Sequence, residues 1–265
     1  RYQGSGSSHI NPTKLVSLTD ALPGVTYIPC GDAMGAVTQE DLNRAVEAAK
    51  SGKVPVVVVG LPESFESEAF DREHMRLPEG YNALVEAAAA ANPNTVVVLL
   101  GGSAMELPWE EKVKAILYMG LPGQAGGEAA ANLLTGKVCP SGKLTESWPV
   151  SYEDVISKET FGVRNPEYRE GIYVGYRYFD SFGIAPIYPF GYGKSYTTFS
   201  HEVLAVSQEG ADIKIWVKVT NTGDTYAGKQ VIQVYFSAPE GKIDRPYQEL
   251  AGYGKTRLLN PGEST

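Results

Sequence analysis

The chain has 265 residues, enough for about two domains, one with a sizeable core, which excludes a single small module. Lys and Arg number 23 against 31 Asp and Glu, a net charge of -8 with no basic run, which argues against a nucleic-acid partner. No apolar stretch approaches the roughly 18 residues of a membrane span, and two isolated cysteines, Cys30 and Cys139, provide neither a disulfide framework nor a metal site.

The sequence opens at Arg1 with Gly4-Ser5-Gly6-Ser7-Ser8, and no signal peptide can be read there, so compartment is left open and a fragment of a longer polypeptide is expected. Asn11-Pro12-Thr13 is not a usable glycosylation sequon because Pro12 stands in the middle. Val25 to Cys30 alternates as a predicted strand, and Thr38-x-x-Asp41 precedes Leu42, Ala45, Val46 and Ala49 at helical spacing. Val54 to Val59 is a β-branched run without polar alternation, the pattern of a parallel strand covered on both faces. A long loop, Leu61 to Pro78, leads into a helix over 79–91 that Asn92-Pro93-Asn94 ends, and Thr95 to Leu100 is a second buried strand. Ala115 to Met119 makes a weaker strand, and Gly123-Gln124-Ala125-Gly126-Gly127 leads into an Ala-rich helix closed by Gly136. This alternation predicts a doubly wound, mostly parallel α/β sandwich of flavodoxin-like layer order over 1–163, with functional loops beyond the carboxyl ends of its strands.

After about residue 150, Tyr, Phe, Gly and Pro become frequent and helical periodicity fades, so 164–200 is read as an aromatic connector. From His201 the alternation is that of antiparallel strands, with Ile213-x-Ile215-x-Val217-x-Val219, a turn at Asn221-Thr222-Gly223-Asp224, and Val231-x-Gln233-x-Tyr235. About four strands fit before Thr265, fewer than a fibronectin-type sandwich needs, so 201–265 is predicted to be a truncated all-β module.

Chemistry is concentrated in the long loop, which carries the carboxylates Glu63, Glu66, Glu68, Asp71 and Glu73 beside Arg72 and His74. It reads either as a solvated acidic loop whose shape Asp71 and Arg72 hold, or as the carrier of a general acid, because loops this long inside a compact domain tend to be functional. The glycine-rich segments fail as phosphate loops: Gly4-x-Gly6-x-x-His9 has His at the third small position, and Gly193-Lys194-Ser195 has Tyr188 where glycine is required. Gly123 to Gly127 precedes a helix and reads as a tight, closely packed turn, with anion binding as its alternative. His9, His74 and His201 fall in unrelated contexts, and no Gly-x-Ser-x-Gly elbow accompanies them.

Glu68-Ala69-Phe70-Asp71-Arg72-Glu73-His74-Met75-Arg76-Leu77-Pro78 resembles the family 3 glycoside hydrolase pattern Glu-Gly-x-Asp-Arg followed by Leu-x-Leu-Pro. Further family-like stretches follow in order, among them Leu121 to Ala129, Pro140 to Leu144, Gly175 to Tyr178 and Pro189 to Phe199. The tail with Val219-Thr220-Asn221-Thr222-Gly223 resembles the fibronectin type III-like module of that family. Ala69, Met75 and Lys194 depart from the family's Gly, Leu and Leu. The resemblance implies a retaining β-glycosidase, a β-glucosidase in the first instance, in which Glu68 is the general acid/base while Asp71 and Arg72 are structural neighbours. The nucleophile would come from a (β/α)8 barrel that this chain does not contain. It implies a β-glucoside or oligosaccharide substrate and no metal or organic cofactor. A non-catalytic carbohydrate-binding or scaffold fragment is the alternative, and a carboxylate at position 68 discriminates against it.

Overall fold

The computed structural model describes residues 1–265 and divides into two compact units, Arg1–Asn132 with Pro149–Arg169, and Leu133–Trp148 with Glu170–Thr265. No helix is long and apolar enough to cross a membrane. The first unit carries α1 (Leu18–Ala21), α2 (Gln39–Ser51), β1 (Val56–Gly60), α3 (Glu79–Ala91), β2 (Val96–Leu100), β3 (Ala115–Gly120) and most of α4 (Gly126–Leu134). Its three strands pair in parallel in the order β1-β2-β3, with Val56 opposite Val96 and Val96 opposite Ala115.

Local chemistry sets the helix ends. The Thr38 hydroxyl accepts from the Asp41 N–H while the Asp41 carboxylate accepts from the Thr38 N–H, a reciprocal cap that starts α2. Hydrogen bonds to the carboxylate from the Thr38 N–H and from the Thr38 hydroxyl, with Arg44 as a further partner, hold the Asp41 carboxyl at about 2. At the far end of α3, the Asn92 amide donates to the carbonyls of Ala49 and Gly52, tying it to α2. The buried core joins Leu84, Val85 and Ala88 of α3 to Val97, Val98 and Leu99 of β2, with Met105 and Trp109 from the following loop. Burial of such apolar side chains contributes roughly 1.5–3 kcal/mol each and is what holds the layers together.

Two local expectations are corrected. Val25 to Cys30 joins no strand ladder, with Val25 and Tyr27 exposed and Pro29 unable to donate, so side-chain alternation there is not matched by a backbone partner. Helical structure also continues beyond residue 150, in α5 (Tyr176–Phe182), which Gly183 closes in the left-handed conformation. Seven residues are too few for a periodic signal to emerge from an aromatic-rich stretch.

The second unit carries α5 and four strands, β4 (Phe199–Glu209), β5 (Asp212–Asn221), β6 (Val231–Phe236) and β7 (Glu249–Lys255), paired as two antiparallel ladders, β4-β5 and β6-β7. Four strands is the number expected from the alternation. Residues 133–148 belong to this unit because their backbone pairs with the aromatic stretch: Leu144 N–H donates to Tyr192 O and Trp148 N–H to Tyr188 O, each at 2.8 Å. Helix α5 is attached to β7 by the Tyr176 hydroxyl, which accepts from the Leu250 N–H. Asn221 is fully buried, and its side chain accepts from Thr197 and from the Gly223 N–H while donating to the carbonyls of Tyr226 and Leu259. That side chain ties three segments of the module together, with its amide polar atoms all used.

Candidate active site

The parallel sheet directs the segments after β1 and β2 to the same edge, and the acidic loop is the first of them. Leu61 and Leu77, each 1% exposed, bury its two ends in the core. Between them, Glu66 is the principal anchor. Its carboxylate accepts from the Gly102 N–H at 2.9 and 3.0 Å and from the Ser103 hydroxyl at 2.8 Å, both in the segment after β2. Arg1 binds the same carboxylate at 3.2 Å and also donates to the carbonyls of Leu61 and Glu66. Arg72 completes the tie by donating to the Ser103 hydroxyl at 2.7 Å and to Ala104 O at 3.1 Å. Charge-assisted bonds of this kind are the strong ones, and here they tie the acidic loop to the segment after β2.

Glu68 stands two residues beyond that anchor and is exposed. The Ser7 N–H donates to its Oε2, and hydrogen bonds from Ser7 hold the Glu68 carboxyl below the usual range, against the opposing effect of desolvation. Gly6 lies so close that a Cβ there would stand 2.4 Å from the Glu68 Cβ. Ala69 takes φ 79°, the left-handed backbone that the family pattern's glycine would adopt without strain.

Of the two residues expected to shape the loop, Arg72 donates to the segment after β2, whereas Asp71 is exposed beside Gly162 and apart from the Glu66 network. His74 is engaged locally: its ring lies 5.9 Å from that of Phe65, and its Nδ1 accepts from the Arg76 N–H. Sequence reasoning passed over Glu66, Gly6 and Ser7 as parts of the site. The small-residue run Gly4 to Ser8 was visible, but only as a failed phosphate loop. The Gly123 to Gly127 turn proves to be packing, since a Cβ on Gly127 would meet the backbone of Val16 and Ser17 at 2.2–2.5 Å.

The profile of the glycosyl hydrolase family 3 C-terminal domain matches residues 1–196, and that of a fibronectin type III-like domain matches residues 230–265. The chain belongs to glycosyl hydrolase family 3. Thermostable beta-glucosidase B of Acetivibrio thermocellus is 43% identical over 99% of this chain, and an exo-alpha-(1->6)-L-arabinopyranosidase of Bifidobacterium longum is 42% identical over all of it. The crystal structure of a family 3 beta-glucosidase from Bifidobacterium adolescentis covers the whole chain with a TM-score of 0.94 at 40% identity. That of a beta-glucosidase from Kluyveromyces marxianus in complex with glucose covers 85% of the chain with a TM-score of 0.83 at 41% identity. The chain spans 36% of the length of these two curated relatives, and 40% and 27% of the two crystallised chains. This family 3 chain is therefore an α/β sandwich with a fibronectin type III-like module, and its acidic loop lies at the carboxyl edge of the sandwich sheet.

Proposed function

We propose that the protein carrying this chain is a retaining β-glycosidase, a β-glucosidase in the first instance, with Glu68 as its general acid/base. The observation that carries the reading is the placement of Glu68: an exposed carboxylate on an anchored loop at the carboxyl edge of a parallel sheet, in a chain 43% identical to a beta-glucosidase. In the first step a carboxylate nucleophile attacks the anomeric carbon, the glycosidic bond breaks, and Glu68 gives its proton to the departing oxygen. In the second, Glu68 as carboxylate takes a proton from the water that attacks the glycosyl–enzyme bond, which frees the nucleophile. That nucleophile belongs to a (β/α)8 barrel elsewhere in the parent protein, so this chain alone is inert towards aryl β-glucosides. The functional division follows composition, with the sandwich at 1–163, the connector at 164–200 and the partial β-module at 201–265.

With Ser7 favouring the carboxylate, Glu68 is prepared for the second step. Holding it protonated for the first requires the drier surroundings that a barrel face and bound sugar would supply. The relatives include beta-glucosidases and an arabinopyranosidase at nearly equal identity, which supports the reaction class more firmly than the choice of sugar.

The test is Glu68→Ala in the full-length protein. Alkyl β-glucosides should lose on the order of a hundredfold to ten-thousandfold in rate, while dinitrophenyl β-glucoside loses far less in its glycosylation step, and azide restores deglycosylation. The same behaviour in Glu66→Ala, with Glu68→Ala like the wild type, would reassign the acid/base.

A further inference from the structure

The run Gly4-Ser5-Gly6-Ser7-Ser8 lacks the spacing of a phosphate loop, yet it folds against the one carboxylate that the proposed chemistry takes from this chain. Gly6 takes φ 87°, and its carbonyl accepts from the His9 N–H at 3.0 Å, so residues 6–9 form a closed turn. The turn points the Ser7 N–H at Glu68 Oε2. It comes so near that an added Cβ on Gly6 would stand 2.4 Å from the Glu68 Cβ and 2.5 Å from Oε2. Gly6 is therefore required twice, for its left-handed backbone and for the space it leaves. The chain is held on both sides of the turn, since before it Tyr2 O accepts from the Gly123 N–H at 2.7 Å and after it the Val16 N–H donates to Gln124 O at 2.9 Å. The turn thus sits between two fixed points rather than on a loose end.

We infer that the Gly6–Ser7 turn is a positioning element for Glu68: it holds Oε2 on the Ser7 amide and so leaves Oε1 as the oxygen that exchanges the proton with the leaving group and with water. This rests on the assignment of Glu68 as acid/base. A carboxylate on an exposed side chain with three rotatable bonds samples several rotamers, and a fixed amide donor at one oxygen selects among them and sets which lone pair faces the substrate. Glu66 and Arg72 hold the loop on its other side through Gly102, Ser103 and Ala104, so Glu68 is clamped between the N-terminal turn and the segment after β2. Around Glu68, the ionisable neighbours along its own loop are Glu63, Glu66, Asp71, Arg72, Glu73 and His74, and the turn adds only His9, through its backbone.

Three variants of the full-length protein test this, compared with alkyl and dinitrophenyl β-glucosides as substrates and azide as rescuing nucleophile. Gly6→Ala should lower kcat/KM for the alkyl glucoside about tenfold to a hundredfold, as expected for a catalytic group displaced by about an ångström, with a smaller loss for the dinitrophenyl glucoside. Ser7→Pro places a residue favoured at the second position of such a turn and removes the N–H that donates to Glu68 Oε2. Because hydrogen bonds from Ser7 favour the ionised carboxylate, their weakening raises the pH at which Glu68 loses its proton, so the alkaline limb of kcat/KM moves to higher pH. A purely structural turn would reduce both substrates equally and leave the limb in place. If Glu68→Ala shows leaving-group dependence and azide rescue while Gly6→Ala affects both substrates alike and Ser7→Pro leaves the limb unmoved, the clamp is overturned and the acid/base assignment stands. If Glu68→Ala itself lacks that dependence, the acid/base assignment fails and the clamp falls with it. Should Gly6→Ala not fold, the position of the limb in Ser7→Pro decides alone.

Discussion

Ala69 is the single non-glycine residue at positive φ in the protein, and it immediately follows Glu68. Left-handed backbone costs an L-residue about 1–2 kcal/mol, because Cβ crowds the following carbonyl. The loop tolerates it because Glu66 and Arg72 fix the chain on either side through the segment after β2. Glycine at this position would remove the strain but would also loosen the unfolded chain by about 0.4–1 kcal/mol. The first effect is the larger, so Ala69→Gly should stabilise the protein by about 0.5–1 kcal/mol, read as a raised urea midpoint. A midpoint that stays or falls would show that the surrounding bonds, rather than glycine-like freedom, define this backbone.

Among the elements, α4 illustrates how a glycine run can serve packing rather than ligand binding. Gly127 sits where the backbone of Val16 and Ser17 crosses the start of the helix, and a Cβ would stand 2.2 Å from the Ser17 carbonyl carbon. Backbone cannot swing aside as a side chain could, so Gly127→Ala should destabilise the protein by about 1–3 kcal/mol. Gly142→Ala, where a Cβ meets nothing within 4 Å, is the control and should leave the midpoint close to the wild type. Equal midpoints for the two variants would contradict the packing assignment. The same crossing places residues 1–8 against the sheet edge, which is how a packing detail in α4 bears on the surroundings of Glu68.

For the whole molecule, acid is the sensitive direction. Asp41 titrates at about 2, held by the Thr38 cap, and Asp20, Glu68 and Glu263 are also held low by hydrogen bonds from Ser17, Ser7 and Asn260. A carboxyl depressed on folding contributes stability that is complete above its unfolded value, about 4, and is lost as pH falls through its folded value. The thermal midpoint should therefore be nearly level from pH 7 to about 5 and decline from about pH 4 towards pH 2. Asp41→Asn should flatten the lower part of that decline, and an unchanged slope in this variant would remove Asp41 from the account. The 31 acidic side chains against 23 basic ones set the formal charge but not this profile, which follows from the few carboxylates the fold engages.

Much of the architecture was legible because its signals are local. The α3 limits, the β-branched runs of β1 and β2, and the Thr38–Asp41 cap each depend on residues within a turn or two of one another, and each was found where the sequence placed it. Strand limits drifted by a residue or two, as at β1, where the pairing begins at Val56 and Pro55 contributes only its carbonyl. Val25 to Cys30 shows the limit of such signals, since alternation describes which way side chains face while a strand also needs a neighbour's backbone. Helix α5 was hidden because its fixing contacts, such as the Tyr176 hydroxyl with Leu250, lie far away in sequence. Sequence alone determined the layer type and the presence of the acidic loop, and its resemblance to family 3 is the source of the proposal that Glu68 is the acid/base. Only the tertiary structure decided what holds that residue, because Ser7 and Glu68 are 61 positions apart, and the turn, the α4 crossing and the sheet edge had to fold before one could donate to the other.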